Sequence, residues 1–401
     1  MVITDPKKIK EVLERSIDKI YPSREHFERA LQGGKRLRIY LGADPTSSHL
    51  HIGHAAGILI LSRLQKLGHE VIFLIGDFTG RIGDPTDKSA MRKQLTVAEV
   101  KSNLKNFKKQ INGILNFSGK NAAKIKFNSK WLAKMSFRDV IELTSNFTVQ
   151  QMIQRDMFQE RLKADKPIGL HEFLYPLMQG YDSVAMDVDA EIGGTDQTFN
   201  MLVGRDLVKI YKNKEKFVIT TKLLVNPITG VKMSKTEGEV INLDDAPSDM
   251  FGKVMANSDE MMMGIMEMST LAPMEEVEQI RELKKSNPRD AKARVAHWVV
   301  RTYYGEKEAD EAEEEFNKVF RSRELPTEMK TFKAPNKNMS VVDLLVATGL
   351  ASSKGEARRL IEQGGVKIDE HKILDHAKTI EILPAGHVLQ VGKRHFVRVT
   401  T

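Results

Sequence analysis

The 401-residue chain contains no cysteine, which excludes disulfides and thiolate metal sites and agrees with a reducing compartment. It has no apolar run near the ~18 residues that a membrane span needs. The first residues include Asp5, Glu11, Glu14 and Asp18. They are too acidic for an organellar presequence and lack the apolar core of a signal peptide, so a cytoplasmic protein is expected. What the chain does have is 41% hydrophobic residues, enough for sizeable cores and two or three domains. Its net charge of +8 favours a polyanionic partner without specifying one.

Over the first 235 or so residues, strand and helix patterns alternate, as in a doubly wound parallel α/β sheet. Strands are expected at 37–43, 70–76, 186–192 and 217–224, with a helical insertion over about 96–165. From about 244 to 324 the pattern is almost wholly helical. The acidic run from Glu306 to Glu315 there reads as a solvated helix face, and the methionine-dense stretch Met250 to Met268 as core filler. Pro326 and Lys330 to Asn338 look like a linker. A compact tail follows, with helices over 340–350 and 353–363 and strands at 366–369 and 387–399. The expected division is a Rossmann-like domain at 1–240, a helical domain at 241–325, a linker at 326–338 and a small α/β module at 339–401.

Several segments carry chemistry. His51-Ile52-Gly53-His54 opens an apolar helix after the strand at 37–43. Two imidazoles three positions apart share one face of the helix start. Free N–H groups and the helix dipole already favour anions there, so nucleotide phosphates suit the place. Gly53 would let a flat ring approach the backbone. Alone, the motif also reads as surface histidines or, with His49, as a metal cluster, although no second ligand motif accompanies it. Lys232-Met233-Ser234-Lys235-Thr236 stands in a polar loop far downstream. Gly76 to Ser89 looks like a Walker loop, but Asp87 stands where the glycine before the lysine belongs, and its carboxylate would face the phosphates. Lys88 and Arg92, four apart, suit a pyrophosphate all the same. Gly193-Gly194-Thr195-Asp196-Gln197 follows a strand and precedes a helix, where doubly wound sheets bind ligands. Asp187, Asp189 and Glu191 alternate along the strand expected at 186–192 and read as a polar face.

The two basic motifs, about 180 residues apart, together resemble the paired signature of class I aminoacyl-tRNA synthetases. With Tyr40 to Thr46, Gly83-Asp84-Pro85, Tyr175 to Asp182 and Gly193 to Gln197 in order, the chain resembles the bacterial tyrosyl-tRNA synthetase family over nearly its whole length. Residues 339–401 are similar to a small RNA-binding module first known from a small-subunit ribosomal protein. A tryptophanyl enzyme shares the two class motifs but not the set Tyr175, Gln179 and Asp182, nor this tail. Thr236 stands where the commonest class form has serine and keeps the hydroxyl.

The resemblance implies a role for each matched residue. Tyr40 and Asp182 would bond a phenolic hydroxyl, Asp84, Tyr175 and Gln179 an ammonium, and Gln197 the carboxylate end. Asp44, Gly194 and Asp196 would contact the adenylate's ribose, with Gly53 beside the nucleotide. Thr46, His51 and His54 would bind ATP phosphates, and Lys88, Arg92, Lys232 and Lys235, with Thr236, would meet the pyrophosphate. On one tail helix, Lys354, Arg358 and Arg359 are expected to contact tRNA. The resemblance further implies L-tyrosine and ATP as substrates, Mg2+ as the ATP counterion, tRNA(Tyr) as partner, a homodimer and no resident metal. Two rivals remain: a nucleotidyltransferase that adenylates without tRNA, which would have no reason to carry the tail, and an RNA-binding protein with a relic catalytic domain, against which the intact motifs argue.

Overall fold

Strands β1 (Ile17–Tyr21), β2 (Arg38–Ala43), β3 (Glu70–Ile75), β4 (Lys124–Phe127), β5 (Ala190–Gly194) and β6 (Phe217–Thr221) form one sheet in the order β1-β6-β5-β2-β3-β4. Strands β2 to β6 are parallel to their neighbours, whereas β1 runs antiparallel along the edge on β6. The β3 sequence is apolar almost throughout and buried on both faces, as an inner parallel strand between helical layers must be. The chain leaves β2 towards β3 on one side and later returns to β5 on the other. The two directions part between β2 and β5, and in such sheets a crevice opens at the carboxyl ends of the strands flanking that point.

The computed structural model describes residues 1–86, 95–228, 230, 240–320, 329–384, 386–392 and 395–401. These fall into two compact units, Met1–Ala309 and Asp310–Thr401.

Two expectations for the first unit are corrected. The strand expected from 186 begins at Ala190, because the helix Leu170–Met186 runs on and closes at Asp187 in the left-handed region, with φ 51°. Asp187 is therefore a helix cap. Asp189 accepts from the Arg38 backbone N–H at 2.7 Å, and Glu191 is buried, so the three acids do not form one exposed strand face. The stretch 96–165 is a series of short helices interrupted by β4, which pairs in parallel with β3. Four residues of alternating Lys and apolar character are too few to show a period.

The helix Ile52–Lys66 is buried nearly all round, and the helix Met262–Ser269 packs on it. Arg15 joins this helical region to the sheet layer. Its guanidinium donates to the Met266 and Glu267 carbonyls at 2.9 and 3.0 Å and to Thr270 Oγ1 at 2.8 Å. Those carbonyls lie at the end of Met262–Ser269, where a helix has no partners of its own for them. Met250, Met261, Met262, Met266 and Met268 are all buried and fill this core. The helices Pro247–Ala256, Met274–Ser286 and Pro288–Tyr304 belong to the same unit.

In the second unit, β7 (Lys330–Lys333), β8 (Asn338–Ser340), β9 (Val366–Ile368), β10 (His371–Ile373), β11 (Thr379–Glu381), β12 (His387–Val391) and β13 (His395–Thr400) build two sheets, β10-β9-β12-β13-β7 and β11-β8. The helices Val341–Ala347 and Lys354–Glu362 complete it around Val341, Leu344, Leu345, Ile361, Val366, Leu389 and Val399. Lys330–Lys333, expected as linker, is an edge strand parallel to β13. The single strand expected over 387–399 is the β12–β13 pair. Among the described residues, no helix is long and apolar enough to cross a membrane.

Candidate active site

A cavity of about 350 Å³ opens at the carboxyl ends of β2 and β5. Tyr40, Asp44, Thr46, His51, Gly53, His54, Asp84, Tyr175, Gln179, Asp182, Gly194, Asp196 and Gln197 all line it. Segments far apart in sequence thus meet at one place. Lys88, Arg92, Lys232, Lys235 and Thr236 lie outside the described residues. Upstream of the stretch that holds the last three, Leu223 and Leu224 line the cavity; downstream of it, the Ile52 N–H donates to the Ile241 carbonyl and the Leu243 N–H to the Leu50 carbonyl.

The histidine pair shapes one wall. His51 is the N-cap of the Ile52–Lys66 helix, and its Nδ1 accepts from the Gly53 N–H at 3.2 Å. His54 Nδ1 accepts from the His51 N–H at 3.2 Å, and the rings lie against each other, tilted by 49°, with centroids 4.0 Å apart. An Nδ1 that accepts a backbone N–H places the proton of the neutral ring on Nε2, so both imidazoles are donors at that atom. His54 is exposed to the cavity. Desolvation by the surrounding protein atoms pushes its pKa below the usual histidine value, with the His51 backbone and Asp196 opposing. It therefore acts as a neutral donor. His49 does not join the pair, since its Nδ1 lies 2.9 Å from Asp244.

At the buried end stand Tyr40 on β2 and Asp182 on the Leu170–Met186 helix, 1% and 2% exposed. Asp182 accepts from Trp131 Nε1 at 2.7 Å and from Asn128 Nδ2 at 3.2 Å. Burial raises its pKa well above the ordinary aspartate value, and those two donors oppose the rise. The Tyr40 hydroxyl sits 2.9 Å from Ser183 Oγ. Burial, with Glu191 and Asp182 nearby, raises its pKa as well, so the phenol keeps its proton. Asn128 also donates to Thr79 Oγ1 at 2.9 Å, and Thr79 donates to Asp44 at 2.7 Å. Gly76 makes room for that contact, since a Cβ there would come to 1.9 Å from Asp44 Oδ1.

Midway along the cavity, the Tyr175 hydroxyl donates to Asp44 Oδ2 at 2.9 Å. Burial, then Asp44 and Asp84, hold its pKa well above the ordinary tyrosine value. Its proton being committed, the oxygen presents only lone pairs to a ligand. Asp84 accepts from Gln197 Nε2 at 2.6 Å and from Thr86. Asn200 donates at 3.0 Å to both Gln179 Oε1 and Gln197 Oε1. The cavity therefore has one region of acceptors with a carboxylate, suited to a cation, and one wall of neutral donors at a helix start, suited to an anion.

Sequence reasoning missed Ser183 and Lys216 and took Glu191 only for part of a polar strand face. Lys216 donates to Glu191, to Ser183 Oγ at 2.8 Å and to the Met201 carbonyl at 3.2 Å. Glu191 Oε1 also accepts from Gln179 at 3.1 Å. Burial lowers the pKa of the Lys216 ammonium and Glu191 opposes the shift. Nothing in the sequence around Lys216, between Glu215 and Phe217, marks it as interior.

In the second unit Lys354, Arg358 and Arg359 are exposed on the Lys354–Glu362 helix. Lys354 pairs with Asp343 at 2.7 Å, and that pair is too exposed to contribute much to stability.

The family model for class I tRNA synthetases (W and Y) matches residues 32–321, and that for the tyrosine–tRNA ligase C-terminal domain matches residues 322–399. The tyrosine–tRNA ligase of Moorella thermoacetica is 43% identical over 97% of this chain and 95% of its own. That of Thermotoga maritima is 42% identical over 98% of both chains. The solved C-terminally truncated mitochondrial tyrosyl-tRNA synthetase of Aspergillus nidulans shares the fold, with a TM-score of 0.68 at 23% identity over 78% of this chain and 94% of that one. The synthetase of Archaeoglobus fulgidus, solved with L-tyrosine, gives a TM-score of 0.59 at 20% identity over 77% of this chain and all of that one. With identity above 40% along nearly the full length, the chain belongs to the tyrosine–tRNA ligase family of class I aminoacyl-tRNA synthetases.

Proposed function

We propose that the chain activates L-tyrosine with ATP, forming tyrosyl-adenylate and pyrophosphate, and then transfers tyrosine to the 3′-terminal adenosine of tRNA(Tyr). The observation that carries this reading is the pairing of Tyr40 and Asp182 at the buried end of a cavity whose opposite wall is the His51 and His54 helix start. A site that only buried an aromatic ring would need no polar group there, and a phenol is the aromatic that satisfies both.

The Tyr40 hydroxyl donates to the phenolic oxygen, and Asp182 accepts the phenolic proton. The ammonium is held by the carboxylate of Asp84, the lone pairs of Tyr175 and the amide oxygen of Gln179, while Gln197 orients the carboxylate end. Asp44, Gly194 and Asp196 face the ribose, and Gly53 leaves room beside the nucleotide. The amino acid carboxylate attacks the α-phosphorus, and the bond to pyrophosphate breaks. No covalent enzyme intermediate or strong base is required, so rate comes from positioning and from stabilising charge on the departing oxygens. The Nε2–H groups of His51 and His54, the helix start and Thr46 supply neutral donors. Lys88, Arg92, Lys232 and Lys235, with the Thr236 hydroxyl, supply the remaining donors and the positive charge. Magnesium enters as the ATP counterion, held by phosphates and water.

The helical region after residue 241 and the second unit serve tRNA, with Lys354, Arg358 and Arg359 as phosphate contacts. Two chains form a homodimer through the apolar surface of Phe137, Ile141, Val149 and Leu170. Phe137 and Leu170 are 80% and 83% exposed, unusual for large apolar side chains whose neighbours Leu143, Met152 and Phe173 share one core. The protein works in the cytoplasm, where tRNA and ATP are available. Pyrophosphate exchange with each of the twenty amino acids, followed by charging of tRNA(Tyr), tests the reading. Tyrosine alone should drive exchange, and better exchange with phenylalanine or tryptophan overturns it.

A further inference from the structure

Beside Tyr40 lies a buried ion pair to which the proposed chemistry assigns no part. Lys216 is fully buried just before β6, and Glu191 stands opposite Tyr40 in the pairing of β5 with β2. The ammonium has three hydrogens and no acceptor, and all three are directed: at Glu191, at Ser183 Oγ and at the Met201 carbonyl. Gly204, on the helix Thr198–Lys212, makes the space, because a Cβ there would come to 2.6 Å from Lys216 Nζ and 3.1 Å from Ser183 Oγ. The Lys216 ammonium also lies 5.9 Å from the centre of the Tyr40 ring.

We propose that the Lys216–Glu191 pair, acting through Ser183, sets the direction of the hydrogen bond at Tyr40, making Tyr40 a donor into the cavity and thereby favouring a phenol over an unsubstituted ring. Lys216 only donates, so Ser183 accepts from it. Ser183 has one hydrogen of its own, with two acceptors in reach: the Tyr40 oxygen at 2.9 Å and Glu191 Oε2 at 3.4 Å. The nearer is Tyr40, and Glu191 Oε2 already holds the ammonium. A Tyr40 oxygen that accepts from Ser183 points its own hydrogen elsewhere and is a stronger donor for it. Glu191 is the competing acceptor for that hydrogen; paired with the ammonium it attracts it less, so a phenolic oxygen in the cavity takes it and leaves the ligand's phenolic hydrogen for Asp182. Without the ammonium, Glu191 Oε2 becomes the stronger acceptor, so Ser183 turns its hydrogen there and accepts from Tyr40, which is then satisfied with no substrate present. Lys216, Glu191 and Ser183 are positioning residues in this account, which rests on the reading of tyrosine as substrate.

The test uses the full-length protein and pyrophosphate exchange with tyrosine and phenylalanine. The double variant Lys216→Met, Glu191→Gln removes both charges together, so neither is left buried alone. It should lower the tyrosine-to-phenylalanine ratio of kcat/KM about tenfold, through the tyrosine KM, on the scale of one hydrogen bond, with the ATP KM unchanged. Ser183→Ala, which removes one oxygen and leaves the ion pair, should lower the ratio severalfold and keeps the proposal testable if the double variant fails to fold. In a Tyr40→Phe background either change should add little, because both act through the hydroxyl already removed. An unchanged ratio in Ser183→Ala, or losses fully additive with Tyr40→Phe, would overturn the proposal. A wild-type protein that does not prefer tyrosine would overturn the substrate reading instead.

Discussion

Tyr175 donates its hydroxyl proton to Asp44 across 2.9 Å, tying the Leu170–Met186 helix to the end of β2 where the two halves of the proposed substrate pair would meet. One oxygen thus serves two partners, with its hydrogen on the nucleotide side and its lone pairs on the amino-acid side. Tyr175→Phe should therefore raise the tyrosine KM about tenfold, the scale of one hydrogen bond to a charged group. It should raise the ATP KM as well, since Asp44 loses a donor. Exchange kinetics with each substrate varied in turn check this, and a change in neither KM would refute the double role.

Lys235 lies outside the described residues. As a lysine of the second class motif, it is expected to meet charge that develops only as pyrophosphate departs. Lys235→Ala should lower kcat for adenylate formation by ~10²-fold or more, as for the loss of one strong electrostatic donor. Tyrosine affinity should hardly change. Pre-steady-state kinetics showing weaker ground-state binding with an unaltered chemical step would contradict this.

The part of the second unit from Lys330 onwards can be removed to separate activation from charging. Because Lys330–Lys333 is a strand of that unit, the cut belongs before Lys330 rather than after the expected linker, where it would leave an unpaired strand edge exposed. The truncated protein should activate tyrosine at a near-normal rate and charge tRNA poorly. In the full protein, Arg358→Ala and Arg359→Ala should weaken tRNA binding and reduce its salt dependence. Charging at full efficiency by the truncated protein would remove the tail from the proposed function.

His69 predicts a pH dependence of stability. It is buried, its Nδ1 accepts from the Leu37 N–H at 3.2 Å, and burial lowers its pKa from 6.5 to about 4. The unfolded chain therefore binds a proton more readily than the folded one as pH falls. The stability from neutral His69 is complete above pH 6.5 and is lost progressively between 6.5 and about 4. Urea unfolding at pH 7.5 and 5 should show a drop that His69→Gln largely removes. An equal drop in the variant would assign the effect to other groups.

The sequence by itself determined the chemistry of the cavity. That His51 and His54, Asp84, Tyr175 to Asp182 and Gly193 to Gln197 contribute to one cavity was legible because their ionisable and hydrogen-bonding side chains stand in short ordered motifs beside strand ends and helix starts. The β3 strand and the helix Ile52–Lys66 were legible for a related reason: long apolar runs have few places to go but the core. Only the tertiary structure decided what surrounds that chemistry. Trp131 and Asn128 reach Asp182 from 51 and 54 positions away, and Lys216 reaches Ser183 from 33 positions away. A lysine flanked by Glu215 and Phe217 looks like any surface lysine, and it becomes interior only because Gly204 leaves space and Glu191 supplies the countercharge. Short strands such as β4 and β7 were equally hidden. Four residues carry almost no periodic signal, and what makes them strands is the open edge of a neighbour, β3 for one and β13 for the other. Side-chain chemistry is local and is written in the residue itself, whereas burial, pairing and the direction of a hydrogen bond are properties of contacts that exist only once the chain has folded.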